Sequence, residues 1–270
     1  MAASSQADRA LDASPTWLAR AGKVALLAAA YGAFGVGAAA NAALGVPAIL
    51  IFSRDADRAE RRVQRLLQRS FSAYFRIVEA LGLVRLRCEG ADRLLEPGLL
   101  VVANHPSRLD AIALIRFMPQ ADCIVKRAYF DNPLFRIIVR SAGYIPNDDG
   151  RALVAACTRQ LLRGRTVLVV PEGTRSPHRG LAPMQRGAAH IALESGRDLL
   201  PVTVRCEPPS LGKNDVWWKV PDATIELTLT VGTPIRIEKS SSGQPTRGRA
   251  ARAVTDAIRR HFEQELALDG

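Results

Sequence analysis

Two short stretches of the chain hold side chains that could move a proton and bind an anion. In Leu99 to Asp110, LLVVANHPSRLD, an apolar run ends in Asn104 and His105, and Asp110 follows five residues later at the head of a second apolar segment, AIALIRF. An imidazole titrates near neutral pH and can act as a general base, and a nearby carboxylate can hold its tautomer and stabilise the imidazolium. The same two residues would also suit a surface histidine beside a helix-capping aspartate. The second stretch, Val167 to Ser176, VLVVPEGTRS, again runs from apolar residues into a polar turn. Its Glu172, Gly173, Thr174 and Arg175 offer an acid, a permissive backbone, a hydroxyl and a guanidinium that matches phosphate bidentately.

Both stretches read as buried strands ending in turns, and open α/β sheets bind their ligands at strand ends. The surrounding pattern supplies such a sheet. VRLRCEG alternates as a strand, GLLVVA, DCIVK, TVLVV, LLPVTVRC and ATIELTLTVG follow as strands, and helices are expected from Asn132 with Pro133 in the first turn, over Arg151 to Leu162, and over Gly187 to Ser195. The fold class expected is α/β, a mixed sheet with helices on both faces, preceded by an N-terminal membrane segment.

Together NHPSRLD and PEGTRS resemble the glycerolipid acyltransferase family, whose blocks Asn-His-x4-Asp and Glu-Gly-Thr-Arg-Ser stand at a similar separation. Gly143, Tyr144 and Ile145, and then Leu200, Pro201 and Val202, fall in order as two further family blocks, so the resemblance covers Arg85 to Thr233. It implies acyl transfer from a thioester of acyl carrier protein or coenzyme A to a lipid hydroxyl, above all that of 1-acyl-sn-glycerol 3-phosphate. That reaction needs a base for the alcohol proton and stabilisation of the oxyanion, with neither a metal nor a cofactor beyond the thioester co-substrate. The resemblance assigns catalysis to His105 and Asp110. It places substrate binding at Asn104, Glu172, Gly173, Thr174 and Arg175, with Glu172 orienting Arg175 or the turn. Ser107 lacks the GxSxG elbow of a hydrolase nucleophile, and His178, His190 and His261 read as background.

Two departures from the family concern the acceptor. A basic residue usual after Gly143 is replaced by Asp149, and the usual Phe-Lys-x-Gly reads Met184, Gln185, Arg186, Gly187. Arg151 and Arg186 are the nearest candidates to replace those cations at the headgroup. Acylation of a different lipid acceptor, one with a less charged headgroup, and a non-catalytic lipid-binding protein of the same fold are the rival readings, and the intact His105 and Asp110 speak against the second.

Composition fits a lipid partner. With 37 Lys and Arg against 26 Asp and Glu the formal charge is +11, which suits an anionic membrane or a nucleic acid. Few aromatics and the lack of zinc-finger or helix-turn-helix signals argue against nucleic acid. Residues 1–23 form a polar tail, and residues 24–52 carry no charge. Interrupted by Gly32, Gly35, Gly37, Asn41, Gly45 and Pro47, that run is long enough for one tilted or kinked membrane helix and too short for two. A signal peptide and a re-entrant or interfacial segment in one leaflet are the alternatives. Arg54, Arg58, Arg61, Arg62, Arg65 and Arg69 put the C-terminal side of the run on the cytoplasmic face of the inner membrane. Residues 53–84 hold a basic amphipathic helix from Arg58 to Leu83, residues 85–239 the catalytic domain, and residues 240–270 a linker and a helix from Arg249 to Leu266. Cys88, Cys123, Cys157 and Cys206 lack metal-ligand spacing and read as reduced residues, three of them in apolar contexts.

Overall fold

A computed structural model describes residues 17–148, 150–213, 215–216, 221, 223–237 and 247–267. A seven-stranded sheet has the order β1-β7-β6-β2-β5-β3-β4, formed by Val84–Glu89 (β1), Leu100–Ala103 (β2), Asp122–Val125 (β3), Ile145–Pro146 (β4), Val167–Val169 (β5), Leu199–Glu207 (β6) and Ile225–Val231 (β7). All neighbours are parallel except β6 and β7. The mixed α/β expectation therefore matches the chain. Central strands β2 and β5 are buried on both faces and read as unbroken apolar runs. In β7, Ile225, Leu227, Leu229 and Val231 are buried and alternate with less buried Glu226, Thr228 and Thr230. Pro201 is tolerated inside β6 because the β7 ladder begins one residue later, at Val202, so its missing N–H falls past the end of that pairing.

Helices pack on both faces: Asp110–Phe117 (α4), Arg127–Asp131 (α5), Pro133–Ser141 (α6), Gly150–Leu162 (α7), Gly187–Ser195 (α8) and Arg247–Ala267 (α9). Asn132 caps α6, its side-chain oxygen accepting from the Leu134 and Phe135 amides. Helices α4 and α5, of eight and five residues, are too short for the apolar pattern to mark them out as helices. No disulfide forms among the described residues; Cys123, Cys157 and Cys206 are buried and Cys88 is partly buried.

Ahead of the sheet, the uncharged run is helical from Trp17 to Ala40 (α1), passes through a π-helical turn, Asn41–Gly45, and continues over Val46–Ile51 (α2). The π turn has a cause. Pro47 cannot donate to the ladder, and the Val46 amide reaches back to the Asn41 carbonyl. The basic helix, Ala56–Ala80 (α3), starts at Asp55, whose carboxylate accepts from the Arg58 amide at 2.9 Å.

α3 runs back along the apolar helix. Phe34 meets Phe71 and Tyr74 at ring separations of 6.5 and 5.4 Å, Asn41 Nδ2 donates to Ser70 Oγ at 3.0 Å, and Val46 is buried with Val63 and Leu67. A Cβ on Gly45 would lie 2.8 Å from Leu66 Cδ2, so the two helices approach closely there and a larger residue would push the Leu66 side chain aside. Further forward, Lys23 Nζ donates to the Pro221 carbonyl at 3.4 Å. One side of the helix from Lys23 to Val46 thus faces the rest of the protein, whereas Val36, Leu44, Ile51 and Phe52 are exposed.

A buried charge cluster fixes α3 to the sheet. Arg165 Nε and Nη2 donate to the two Asp122 carboxylate oxygens at 2.7 and 2.5 Å, and Nη1 reaches Asp57 and Glu60 at 3.3 Å. Gln64 Nε2 donates to Asp122 Oδ1 and to the Ala142 carbonyl, both at 2.7 Å. Gly143 belongs to the same joint: its φ is +68°, and a Cβ there would sit 2.8 Å from the Glu60 carboxyl. Because Asp122 is 0 % exposed and Arg165 5 %, removing one partner strands a buried charge. Arg165→Ala is expected to destabilise the chain by about 3–5 kcal/mol, and Arg165→Met combined with Asp122→Leu by less. Denaturant midpoints of the detergent-solubilised protein check this, and equal losses in the two variants would contradict it.

Candidate active site

β2 and β5 are adjacent and parallel, so the turns that follow them leave the same edge of the sheet side by side. Asn104 to Asp110 and Glu172 to Ser176 become one structure there. The Ser176 amide donates to the His105 carbonyl at 2.8 Å, and the His105 amide faces Glu172 Oε1 at 3.1 Å and Ser176 Oγ at 3.2 Å. Ser176 Oγ donates to Glu172 Oε1 at 2.6 Å, and the Ala182 amide donates to Oε2 at 2.6 Å. Gly173 turns the chain at φ +63°, a region L side chains rarely adopt.

His105 Nδ1 lies 3.0 Å from Asp110 Oδ2, which also accepts from the Ser107 amide at 2.7 Å. Asp110 is fully buried at the first turn of α4. Burial pushes its carboxyl above the ordinary aspartate pKa, while the bonds from His105 and Ser107 and the His105 charge pull it back. When Asp110 is ionised its oxygens only accept, and the proton of the neutral ring then sits on Nδ1 with the Nε2 lone pair left for a substrate proton. Ser107 is spent locally, its Oγ accepting from the Leu109 amide at 3.0 Å.

Two expectations are corrected, the placing of Asn104 and of Glu172 at the substrate. Asn104, expected at the substrate, is 2 % exposed and turned into the sheet, where its amide exchanges two bonds with the Val204 backbone, at 2.9 and 2.7 Å. A side-chain amide carries the donor and acceptor of a peptide group, so Asn104 prolongs the pairing of β2 with β6 past the end of the strand. Glu172, 3 % exposed, orients the turn and not Arg175, because both of its oxygens are occupied by the donors just described. Arg175 is not held free for a ligand alone: Nη1 donates to the Gly212 carbonyl at 2.8 Å and contacts that of Leu211 at 3.4 Å. It thereby clamps the connection between β6 and β7 over the two turns. Burial first, and then the neighbouring Arg108 charge, hold the Arg175 guanidinium below its usual pKa.

The other expected residues are more dispersed. Thr174 is half-buried in the turn. Gln185 donates its amide to the Pro171 carbonyl at 2.7 Å, and its Cγ lies 3.9 Å from a Cβ position on Gly173, so it borders the site. Arg186 is exposed at the start of α8. Arg151 is exposed in the first turn of α7, which follows β4, two strands or roughly 10 Å from β5. Asp149 lies outside the described residues.

The sequence pattern gives no role to Ser176, to Arg108 or to the connection after β6. Arg108 donates its amide to the Leu211 carbonyl at 3.2 Å and Nη2 to the Asp215 carbonyl at 3.0 Å. Asp215 in turn accepts from the Gly212 amide at 2.7 Å and faces His178 Nε2 at 3.1 Å. Leu211 has φ 58°, a left-handed conformation unusual for leucine and held by these arginine contacts to its carbonyl. No sequence signal in Leu211 to Asp215 marks it as part of a site.

Residues 85–205 match the family model described as Acyltransferase. A chloroplastic 1-acyl-sn-glycerol-3-phosphate acyltransferase of Brassica napus is 28 % identical over 167 residues, 59 % of this chain and 46 % of that protein. An enzyme of the same name from Salmonella typhimurium is 28 % identical over 112 residues, 39 % of this chain and 46 % of its own. The chain thus spans about half the length of the curated relatives it matches. The crystal structure of the 1-acyl-sn-glycerophosphate acyltransferase PlsC from Thermotoga maritima superposes with a TM-score of 0.63 at 19 % identity, covering 87 % of this chain and 97 % of that one. The resemblance carried by NHPSRLD and PEGTRS is met by these matches, and the fold is that of the Thermotoga protein.

Glu172 makes the tightest test of the joined turns. In Glu172→Gln one oxygen becomes an NH2 group, which must face a donor at His105 and Ser176 or at Ala182. A loss of about 1–3 kcal/mol is expected, with faster hydrogen exchange at the His105 and Ala182 amides. Unchanged exchange at both amides would contradict the bridging role.

Proposed function

We propose that this chain, with its acyltransferase domain over residues 85–205, transfers a fatty acyl group from an acyl thioester to the hydroxyl of a lysophospholipid, 1-acyl-sn-glycerol 3-phosphate in the first instance. The observation that carries the reading is the His105–Asp110 pair, 3.0 Å apart and braced by the second motif through Glu172 and Ser176. His105 Nε2 removes the proton of the acceptor hydroxyl as its oxygen attacks the thioester carbonyl. The new C–O bond forms, the C–S bond breaks, and the thiol of coenzyme A or acyl carrier protein leaves with the proton from the imidazolium. Asp110 keeps the ring in the tautomer this step needs and stabilises the imidazolium. The identity of the acceptor rests on the names of the relatives. A lipid-binding protein without activity would have no need of an imidazole held by a buried carboxylate.

Membrane attachment belongs to the same proposal. The helix from Ala21 to Ile51 is long and apolar enough to cross a bilayer. Its contacts favour the interfacial alternative. From Lys23 to Val46, about 35 Å of helix at 1.5 Å per residue, one side packs on α3 and the domain, and a segment so held cannot cross a hydrocarbon core of about 30 Å without burying the domain as well. The opposite side, with Val36 and Leu44 each 70 % exposed, then enters one leaflet, and exposed arginines of α3 lie near anionic headgroups on its cytoplasmic face.

With purified protein, acyl-CoA and acyl carrier protein thioesters as donors and lysophosphatidic acid as acceptor, His105→Ala is expected to lower kcat by about 10²–10⁴-fold, and Asp110→Asn to lower it through a misoriented ring. Thiol release and thermal unfolding are read together, and wild-type turnover in a folded His105→Ala protein would overturn the mechanism. For the membrane, Val36→Glu with Leu44→Glu should release the protein from vesicles without unfolding it, since neither side chain is packed. An impermeant reagent added outside sealed, right-side-out cells should fail to label an N-terminal tag. Labelling would restore the spanning helix.

A further inference from the structure

Arg108 occupies a variable position of the first motif, between the buried Ser107 and Leu109, and its side chain is exposed. Its guanidinium donates to the Asp215 carbonyl at 3.0 Å and to the Tyr31 hydroxyl of α1. Arg175 arrives at the same connection from the second motif, on the Leu211 and Gly212 carbonyls. The two charges are close enough to act on each other, and Asp110 and Asp215 are the carboxylates that act on Arg175. Asp110 is bonded to His105 and the Ser107 amide, and Asp215 to His178 and the Gly212 amide. Among the described residues neither Arg108 nor Arg175 has a carboxylate as ion-pair partner.

Two guanidiniums brought together by main-chain carbonyls, with no paired acid, repel each other and attract an anion. Arg175 also keeps a suitable edge. Its Nη2 makes only a 3.5 Å contact, to the Lys213 carbonyl, and Nε has no hydrogen-bond partner among the described residues. Nε and Nη2 form the side of the fork that grips a phosphate with two parallel bonds. In a 1-acylglycerol 3-phosphate the reacting hydroxyl and the phosphate sit on adjacent carbons, so cations for the headgroup must stand within a side chain's reach of the base. Arg108 is three residues from His105, and Arg175 adjoins Ser176, which is bonded to it.

Resting on the acyltransferase reading, in which Arg175 already serves the headgroup, we propose that Arg108 is a second residue that holds the acceptor's phosphate. Arg108 supplies the second cation that the chain lacks where Asp149 and Gln185 stand, and it sets the preference for a phosphomonoester over zwitterionic or uncharged acceptors. Arg175 alone would suit a headgroup of lower charge. The pair suits the nearly doubly charged phosphomonoester.

The test compares wild type, Arg108→Gln and Arg108→Lys on 1-oleoyl lysophosphatidic acid, lysophosphatidylethanolamine and monooleoylglycerol. Arg108→Gln should raise KM for lysophosphatidic acid by about 10–100-fold, as expected for a lost charge-assisted bond. Its kcat and the KM values of the other two acceptors should stay near wild type, and Arg108→Lys should recover part of the loss. A fall in kcat of equal size for all three acceptors would mean that Arg108 only braces the connection after β6, and would overturn the proposal. A wild-type protein inactive on every acceptor would overturn the acyltransferase reading instead. The phosphate site is then judged by equilibrium binding of the same three lipids in detergent micelles. Selective loss of lysophosphatidic acid binding in Arg108→Gln supports it, and equal binding in variant and wild type overturns it.

Discussion

The site depends on one buried carboxylate. Parallel pairing of β2 with β5 sets two turns side by side, but proximity alone would leave the amides of His105 and Ala182 and the hydroxyl of Ser176 inside the protein with too few acceptors. Glu172 accepts from all three. A carboxylate in a buried place is costly unless its oxygens are hydrogen-bonded, and an amide donor there is costly unless it finds an acceptor. Each group therefore removes the other's penalty. On the far side of β2, Asn104 ties the same turn to Val204 of β6. His105 is thus gripped through its neighbours and its own main chain from both adjoining strands, and Asp110 has only to hold the ring.

Much of this fold is legible in the sequence because its signals are local. Apolar runs bounded by polar turns mark the strands, Asn132 followed by Pro133 marks the start of α6, and the two motifs mark the histidine, its aspartate and the turn facing them. What residue types do not carry is direction. Asn104 and Glu172 are polar residues beside His105, and the resemblance places them at the substrate; the structure turns both inward, because the ends of paired strands leave backbone groups that need partners. The connection at Leu211 to Asp215 is illegible for a different reason. It joins the site only through contacts to main-chain carbonyls, which every residue possesses, so its composition has nothing to mark it.

The apolar helix shows a similar limit. Length and hydrophobicity are the same for a segment that crosses a bilayer and for one that lies along a protein with one side in lipid. The distinguishing feature is the row formed by Lys23, Leu27, Tyr31, Phe34 and Asn41, spaced by three, four or seven residues so that it stays on one side of the helix, with Val46 one π-helical turn of five residues further on. Within a run of alanine, glycine and leucine this row gives little contrast. It becomes visible when α3 is seen against it, with Asn41 on Ser70 and Gly45 against Leu66.

The net charge of +11 reads as one attraction to an anionic surface, yet the arginines divide by what surrounds them. Arg165 is buried with Asp122 and serves the fold. Arg116 lies 5.7 and 5.6 Å from the rings of Phe75 and Phe117 and is paired with Glu79 at 3.3 Å, so its charge is largely answered inside the protein. Arg108 and Arg175 converge on one connection without a paired carboxylate among the described residues. A membrane surface acts on exposed, unanswered charge, which decays within about a Debye length of 8 Å at physiological salt. Exposed arginines of α3 such as Arg65 and Arg69 meet that condition, whereas Arg61, paired with Asp57, and Arg165 and Arg116 do not. The net charge therefore pools arginines with different surroundings, which the total cannot tell apart.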